Sequence, residues 1–365
     1  MVTKLQLEGF RALAKQTVEF SSRATLITGL NAHGKSSLLE SLYLLLTTRT
    51  YRARDPREAI CHRSDFLQLG GLVKSATRAD FDLGLGLGKG RSERHLRVGE
   101  SATKLMDYLG LVPVLVQAGE SLRMIAGSPG ERRRLMDRVT AAAEPIHLVD
   151  LRHYQTALTQ RNRLLKSAAS DREFEAWETI LQQTGQSIRC RRRQHVSRWQ
   201  TSLASWPELF PEGAQAVLQY RETDPAPAQP SSDDALPWRA LRPLERRVGA
   251  TLRGPHRDDL QIVVEERNLL KYGSAGQVRA ALSALTLAQV RSVREQRPHD
   301  DVLLLIDDLD TDLDPSRCQA LIDAAVDQAQ VIAATSKPDL LMTTAMAVIE
   351  MQHGVAIPRA TGAQA

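Results

Sequence analysis

The chain has 365 residues, 42% of them apolar, which is enough to bury a substantial core and excludes a generally disordered polypeptide. Its 48 lysines and arginines outnumber 43 acidic residues by five, a mild lean toward acidic partners rather than proof of one. Aromatics are only 4%, which disfavours base stacking as a mode of nucleic-acid binding, and apolar runs such as LYLLL and VLLLI are far too short to cross a bilayer.

The opening VTKLQLEGF lacks the basic region and apolar core of a secretory signal, so none is expected. In it Leu5 and Leu7 alternate onto one face, and QTVEF reads as a hairpin partner, an antiparallel flank to whatever follows. RATLIT then reads as a short buried strand, and behind it Leu38, Leu39, Leu42, Leu45 and Leu46 recur at helical spacing. Between strand and helix, Gly29, Gly34, Lys35 and Ser36 match G-x-x-x-x-G-K-[ST] in the context that motif demands. The candidate phosphate cradle runs through Gly29, Leu30, Asn31, Ala32, His33, Gly34, Lys35, Ser36 and Ser37. Its glycines let backbone N–H groups face an anion at a positively polarised helix start. Lys35 reaches β- and γ-phosphates of ATP, and the Ser36 hydroxyl suits Mg2+. Asn31 and His33 either shape the loop or are plain turn residues.

A long insertion follows. Leu148, Leu151, Tyr154, Leu158 and Leu165 share one helical face, and Phe174, Trp177, Leu181, Thr184 and Ile188 repeat at 3,4 spacing like an antiparallel partner. A helical lobe is expected from about Leu115 to Tyr220, ending in an exposed link, ETDPAPAQPSSDDALP. The organisation is then ATPase lobe 1–114, helical lobe and linker 115–240, and ATPase lobe again 241–365. Two arginine runs stand out: Arg189, Arg191, Arg192, Arg193 and Arg198, and Arg132, Arg133, Arg134 and Arg138. They suit either a nucleic-acid phosphate backbone or a solvated helix face.

Gly273, Ser274, Ala275, Gly276 and Gln277 form a small-residue turn before a helix rich in Ala and Leu, a second anion-binding geometry. Next, Val302 to Ile306 is an unbroken apolar run ending in Asp307 and Asp308, as suits a parallel strand covered on both faces. Carboxylates at its end fall on the ligand edge of an α/β sheet. There Asp307 is expected to hold Mg2+ through water and Asp308 to orient, or accept a proton from, the attacking water; a strand that simply ends in an acidic turn is the other reading. Ala329 to Thr335 reads as a further buried strand whose end, Thr335-Ser336, is either a polar group near a γ-phosphate or a loop start, and AVIEM as the last strand. Cys61, Cys190 and Cys318 are odd in number and have no CxxC spacing, which fits buried thiols in a reducing, cytoplasmic setting.

GFRAL, GLNAHGKSSLLESLY, RTYRARD, GSPGERRRLMDR, YQTALTQRNRLLK, RGPHRDDL, YGSAGQ and LLLIDDLDTDLD together resemble the RecF family of bacterial recombination mediators, nearly end to end. The order of cradle, insertion, small-residue signature and Asp pair is similar to that of ABC- and SMC-type ATPases in general. The resemblance implies an α/β, ABC/SMC-type P-loop ATPase head with an inserted helical lobe. It implies ATP-dependent homodimerisation on DNA, weak DNA-stimulated ATP hydrolysis, and work with RecO and RecR at single-strand gaps in duplex DNA, without a membrane. It also implies that Ser274, with Gly276 and Gln277, meets ATP held by the opposite subunit, that Arg11 contacts nucleotide, and that Gln117 occupies the Q-loop position. A salt-bridged surface Arg and an ordinary loop Gln are the other readings of Arg11 and Gln117. The turn at His256, Arg257, Asp258 and Asp259 is expected to be an internal polar network.

Departures from that pattern are Ala32 for Gly, Ala275 for Thr, Val278 for Gln, and Asp310 as an extra negative charge near the metal pair. The rivals are an ABC-type ATPase subunit of a membrane transporter, a DNA-binding protein that holds ATP without turnover, and a small-molecule kinase.

Overall fold

The computed structural model describes residues 1–75, 77–90, 94–119, 127–167, 169–209, 216–223, 237–264, 267–268, 273–311, 313–337 and 346–359. The expected link lies largely outside them, as do Lys271 and Tyr272.

Three buried apolar runs set the architecture. Strands β3 (Ala24–Thr28), β12 (Leu303–Ile306) and β13 (Gln330–Ala334) are buried at every position. With β8 (Val114–Gln117), β14 (Ala347–Gln352) and β15 (Val355–Arg359) they make a sheet of order β15-β14-β3-β13-β12-β8. The first five strands to pair around β3 run parallel, and β15 closes the edge antiparallel. Alternation sends the two faces into different cores. Leu303, Leu305 and Ile332 meet the leucines of α1 (Lys35–Thr47), whereas Leu304, Ile306 and Val331 face α7 (Ala275–Gln296) and α8 (Pro315–Val326). AVIEM is therefore not the last strand: a tight turn returns the chain as β15.

The expected hairpin forms, with β1 (Val2–Glu8) against β2 (Gln16–Glu19) in the register Leu5↔Val18. It belongs to an antiparallel sheet that adds β4 (Phe66–Val73), β5 (Phe81–Gly88), β6 (Arg94–Val98) and β7 (Ser101–Ala102), and a short α2 (Leu105–Tyr108) follows. The inserted lobe holds α3 (Pro129–Ala143), α4 (Ile146–Leu165), the 33-residue α5 (Asp171–Leu203) and α6 (Pro237–Val248). Tyr154, Leu158, Leu181 and Ile188 are buried together along the predicted faces. Its start is later than the sequence suggested. Leu115 lies within β8, which pairs with β12, so the run VLVQ completes the parallel sheet before the helices begin. Strands β9 (Ala216–Arg221), β10 (Asp259–Val264) and β11 (Arg267–Asn268) form a third, small sheet at the base of the lobe.

The arginine runs are the main correction. Arg192 is 3% exposed and donates to both Asp137 oxygens at 2.8 Å and to the Pro255 carbonyl. Arg189 grips Asp258 through Nε and Nη2 at 2.9 and 2.7 Å. Arg132 grips Asp259 at 2.7 and 2.8 Å, Arg133 donates to the Asp258 carbonyl, and Arg191 meets Asp150 at 2.6 Å. A guanidinium enclosed by carboxylates is not available to phosphate. Arg193, near Glu222, is more than half exposed. Periodicity alone could not show that this face of α5 looks inward onto the turn at residues 254–259. The expected internal network there is present. Asp258 is fully buried and also accepts from the Tyr220 hydroxyl at 2.5 Å. Tyr154 donates its hydroxyl proton to Nδ1 of His256, whose Nε2–H donates to the Thr251 carbonyl. Burial pushes the His256 pKa down to about 4, so stability present above pH 6.5 is lost as pH falls through 4. The cysteines differ as well: Cys318 is buried, Cys61 half-buried and Cys190 exposed.

Gly254 turns the chain at φ 118°, and a Cβ there would run into the Tyr154 hydroxyl. Gly254→Ala should therefore cost about 2–4 kcal/mol in urea denaturation, since backbone strain and a broken buried network add. A loss below about 0.5 kcal/mol would show that the turn is not a keystone of the lobe.

Candidate functional site

The site assembles at the sheet edge where β3 and β12 end, separated by β13. The loop from Gly29 to Gly34 leads into α1, with Gly34 at φ 104° as its N-cap. At φ 104° any L side chain is strained, and a Cβ would also press on the Leu13 side chain at 2.8 Å, so the position favours glycine. Ala32 has φ 66°, a left-handed conformation that costs an alanine roughly 1–2 kcal/mol. That strain is the physical content of its departure from glycine.

Lys35 folds back, donating from Nζ to the carbonyls of Gly29 at 2.7 Å and Leu30 at 3.1 Å. The Ser36 hydroxyl donates to Asp307 Oδ1 at 2.9 Å, joining residues 271 apart in sequence. Asp307 is 4% exposed, and burial, then the neighbouring Asp308, pushes its pKa up to about 6. Its folded pKa lies above its unfolded 3.8, so stability held below pH 3.8 is lost as pH rises through about 6. Gln117 sits opposite Ile306 in register; its carbonyl accepts from Asp307 N at 2.8 Å and its Nε2 donates to Ser283. Gln117 Oε1 is buried without a hydrogen-bond partner. Ser36 and Asp307 supply a hydroxyl and a carboxylate, both hard donors, and a carboxylate strained by burial beside another charge is relieved by a cation. These residues fit Mg2+.

Asp308 is exposed at φ 52°, and its carbonyl accepts from the buried Arg279 at 2.7 Å. Arg279 lies on α7, so the signature helix is tied to the backbone of the Asp pair. At the start of α7, Ser274 Oγ accepts from Gln277 N while Gln277 Oε1 accepts from Ser274 N, a reciprocal cap beside Gly276. Ser274 thereby keeps its hydroxyl proton for another acceptor. Asp310 accepts from the Ser336 hydroxyl at 2.8 Å. Arg11 is an ion-paired residue, bidentate to Glu40 at 2.5 and 2.7 Å. Glu40 is fully buried on α1 and also takes Thr50 and Arg52. Tyr51 places its hydroxyl 3.3 Å from the Ser36 carbonyl and 3.4 Å from Asp307 Oδ2. Sequence reasoning missed Glu40, Tyr51 and Arg279. A glutamate inside the apolar LLES run was a usable signal for the first, because a buried acid needs cations; nothing in the sequence pointed to the other two.

A family model described as an AAA domain matches residues 4–186. The chain is 31% identical to "DNA replication and repair protein RecF" from Synechococcus sp. (strain JA-2-3B'a(2-13)), over 98% of each chain. It is 32% identical to the protein of the same name from Herpetosiphon aurantiacus, over 98% of this chain and 99% of that one. Among solved structures it is similar to the recombination mediator protein RecF-ATPrS in the RecFOR pathway, with TM-score 0.87 and 23% identity over 99% of this chain and 98% of the other. An SMC head bound to the C-winged helix domain of ScpA aligns with TM-score 0.57 at 16% identity, covering 100% of this chain and 98% of that one. The α/β head shared with RecF and SMC ATPases is thus the fold of this chain.

Replacing the strained carboxylate separates stability from binding. Raising Asp307 from 3.8 to about 6 corresponds to roughly 3 kcal/mol at neutral pH. Asp307→Asn should stabilise the Mg2+-free protein by about 1–3 kcal/mol in urea at pH 7.5 while abolishing Mg2+-dependent nucleotide binding. A destabilised variant would contradict the assignment of Asp307 as an unrelieved buried charge.

Proposed function

The chain belongs to the RecF family of DNA replication and repair proteins, and we propose that it acts as an ATP-dependent recombination mediator. In this reading it binds ATP with Mg2+, pairs with a second copy, holds duplex DNA beside single-strand gaps, and helps RecO and RecR load recombinase in the cytoplasm. Hydrolysis is weak and DNA-stimulated, and serves as a timer. The observation that carries the proposal is the hydrogen bond between Ser36 and Asp307, which brings a phosphate loop and a metal carboxylate from opposite ends of the chain to one point. The near full-length relatives weigh against a transporter subunit.

Ser36 and Asp307 would hold Mg2+, which neutralises phosphate charge when bound. Lys35 exchanges the Gly29 and Leu30 carbonyls for phosphate oxygens, a charge-assisted gain. The loop N–H groups at the start of α1 hold the same phosphates. Ser274 of a second copy donates its spare hydroxyl proton to the terminal phosphate, giving a two-fold pair with two shared nucleotides. Asp308 orients the attacking water and takes its proton. Arg279 holds the Asp308 backbone from the signature helix, so docking and water positioning share one rigid connection. Leu30, 71% exposed on the phosphate loop, offers apolar surface for such pairing to cover.

For DNA, the inward-facing arginines of α3 and α5 leave other candidates. Arg49, Arg54 and Arg63 are exposed on the segment after α1, whose Tyr51 touches the site. They supply the backbone-directed, salt-sensitive contact proposed here, with Arg193 as a second contributor.

Lys35→Ala should weaken ATP binding by about tenfold or more and abolish ATP-dependent pairing in sedimentation velocity. Ser274→Arg should leave ATP affinity of the single copy unchanged yet block pairing. A Ser274→Arg protein that still pairs with ATP would overturn the trans contact.

A further inference from the structure

The turn joining β14 and β15 is bolted to the phosphate loop. Gly354 N donates to the His33 carbonyl at 3.1 Å, and His33 Nδ1 donates to the Met351 carbonyl at 3.2 Å. On the other side the Gly354 carbonyl accepts from Ala14 N and from Gln16 Nε2. Two imidazoles that are 320 positions apart in sequence meet there: the His33 and His353 rings have centroids 4.6 Å apart and are tilted by 39°. His353 is exposed, and His33 is half-buried with its Nδ1 committed.

Sheet order says what lies beside them. In β15-β14-β3-β13-β12-β8 the phosphate loop leaves β3, and the metal-binding carboxylate stands two strands away on β12. The histidine pair stands on the flank of β14 and β15, on the other side of the phosphate loop from Asp307, which is the side left for a nucleoside whose terminal phosphates meet that carboxylate. We propose that His353, backed by His33, is a stacking platform for the heteroaromatic base of the bound nucleotide, which makes the turn at Gln352–Val355 part of the site. The inference rests on the phosphate-cradle reading above and adds a base subsite to it. An exposed imidazole face is suited to this, because stacking on a base needs an aromatic surface open on one side.

The test compares ATP with inorganic tripolyphosphate, each with Mg2+, by isothermal titration calorimetry on the full chain. His353→Asn removes the ring, and Asn accepts the φ of 48° found at this position. The variant should bind ATP about fivefold more weakly, the low end of what a lost base–aromatic stack costs, and tripolyphosphate as well as the wild type does. His353→Tyr, which restores an aromatic face, should recover most of the ATP affinity. Unchanged ATP affinity in His353→Asn overturns the proposal. So does an equal loss for both ligands, which would make the ring a support for the loop. Failure of the wild type to bind tripolyphosphate while still binding ATP would instead overturn the cradle reading on which the proposal rests.

Discussion

Everything at the nucleotide site depends on the strand order of one sheet. Because β13 pairs in parallel with both β3 and β12, the ends of those two strands lie close on the same edge, and Ser36 can reach Asp307. The chain between them, more than 250 residues, has to leave and return without disturbing that edge. It does so by adding strand β8 on the far side of β12, then building the helical lobe, and re-entering through α7. The cost of holding Asp307 buried beside Asp308 shows in its raised pKa, and it is the kind of local strain that a bound cation relieves.

The inserted lobe is joined to the head by polar as well as apolar contacts. His195 on α5 bridges Glu144, the cap of α3, to Ser292 of α7; Arg189 ties α5 to Asp258, while Arg192 ties α5 to Asp137 of α3 within the lobe. Breaking one partner of such buried pairs is far more destabilising than the net worth of the pair, so the lobe and signature helix are expected to move as one unit. Arg279 extends that unit to the Asp308 backbone. A displacement of Ser274 is thereby linked to the backbone at Asp308.

Much of the head was legible in the sequence. Unbroken runs such as LLLI and ATLIT need cover on both faces, which forces a parallel strand between helices, and G-x-x-x-x-G-K-S between strand and helix leaves few alternatives. The faces of α4 and α5 were legible from 3,4 spacing. The partners of charges were not. Arg132, Arg189, Arg191 and Arg192 look like a nucleic-acid surface in one dimension because Asp137, Asp150, Asp258 and Asp259 come from other elements. The ion pair of Arg11 was open as one of two readings, but its partner was not legible for the same reason: Glu40 is on another element and buried. The end of β8 was missed because VLVQ is short and apolar, so periodicity cannot tell a strand from a buried stretch of helix.

The central claim is that Ser36 and Asp307 act as one metal-and-phosphate site. A double-mutant cycle tests it most directly: Mg2+-ATP affinity for the wild type, Ser36→Ala, Asp307→Ala and the double variant, by calorimetry. The two residues share one ion, so the second substitution should add little to the first, and the losses should be strongly non-additive. Losses that simply sum, or an Asp307→Ala protein that keeps wild-type affinity with Mg2+, would contradict the claim.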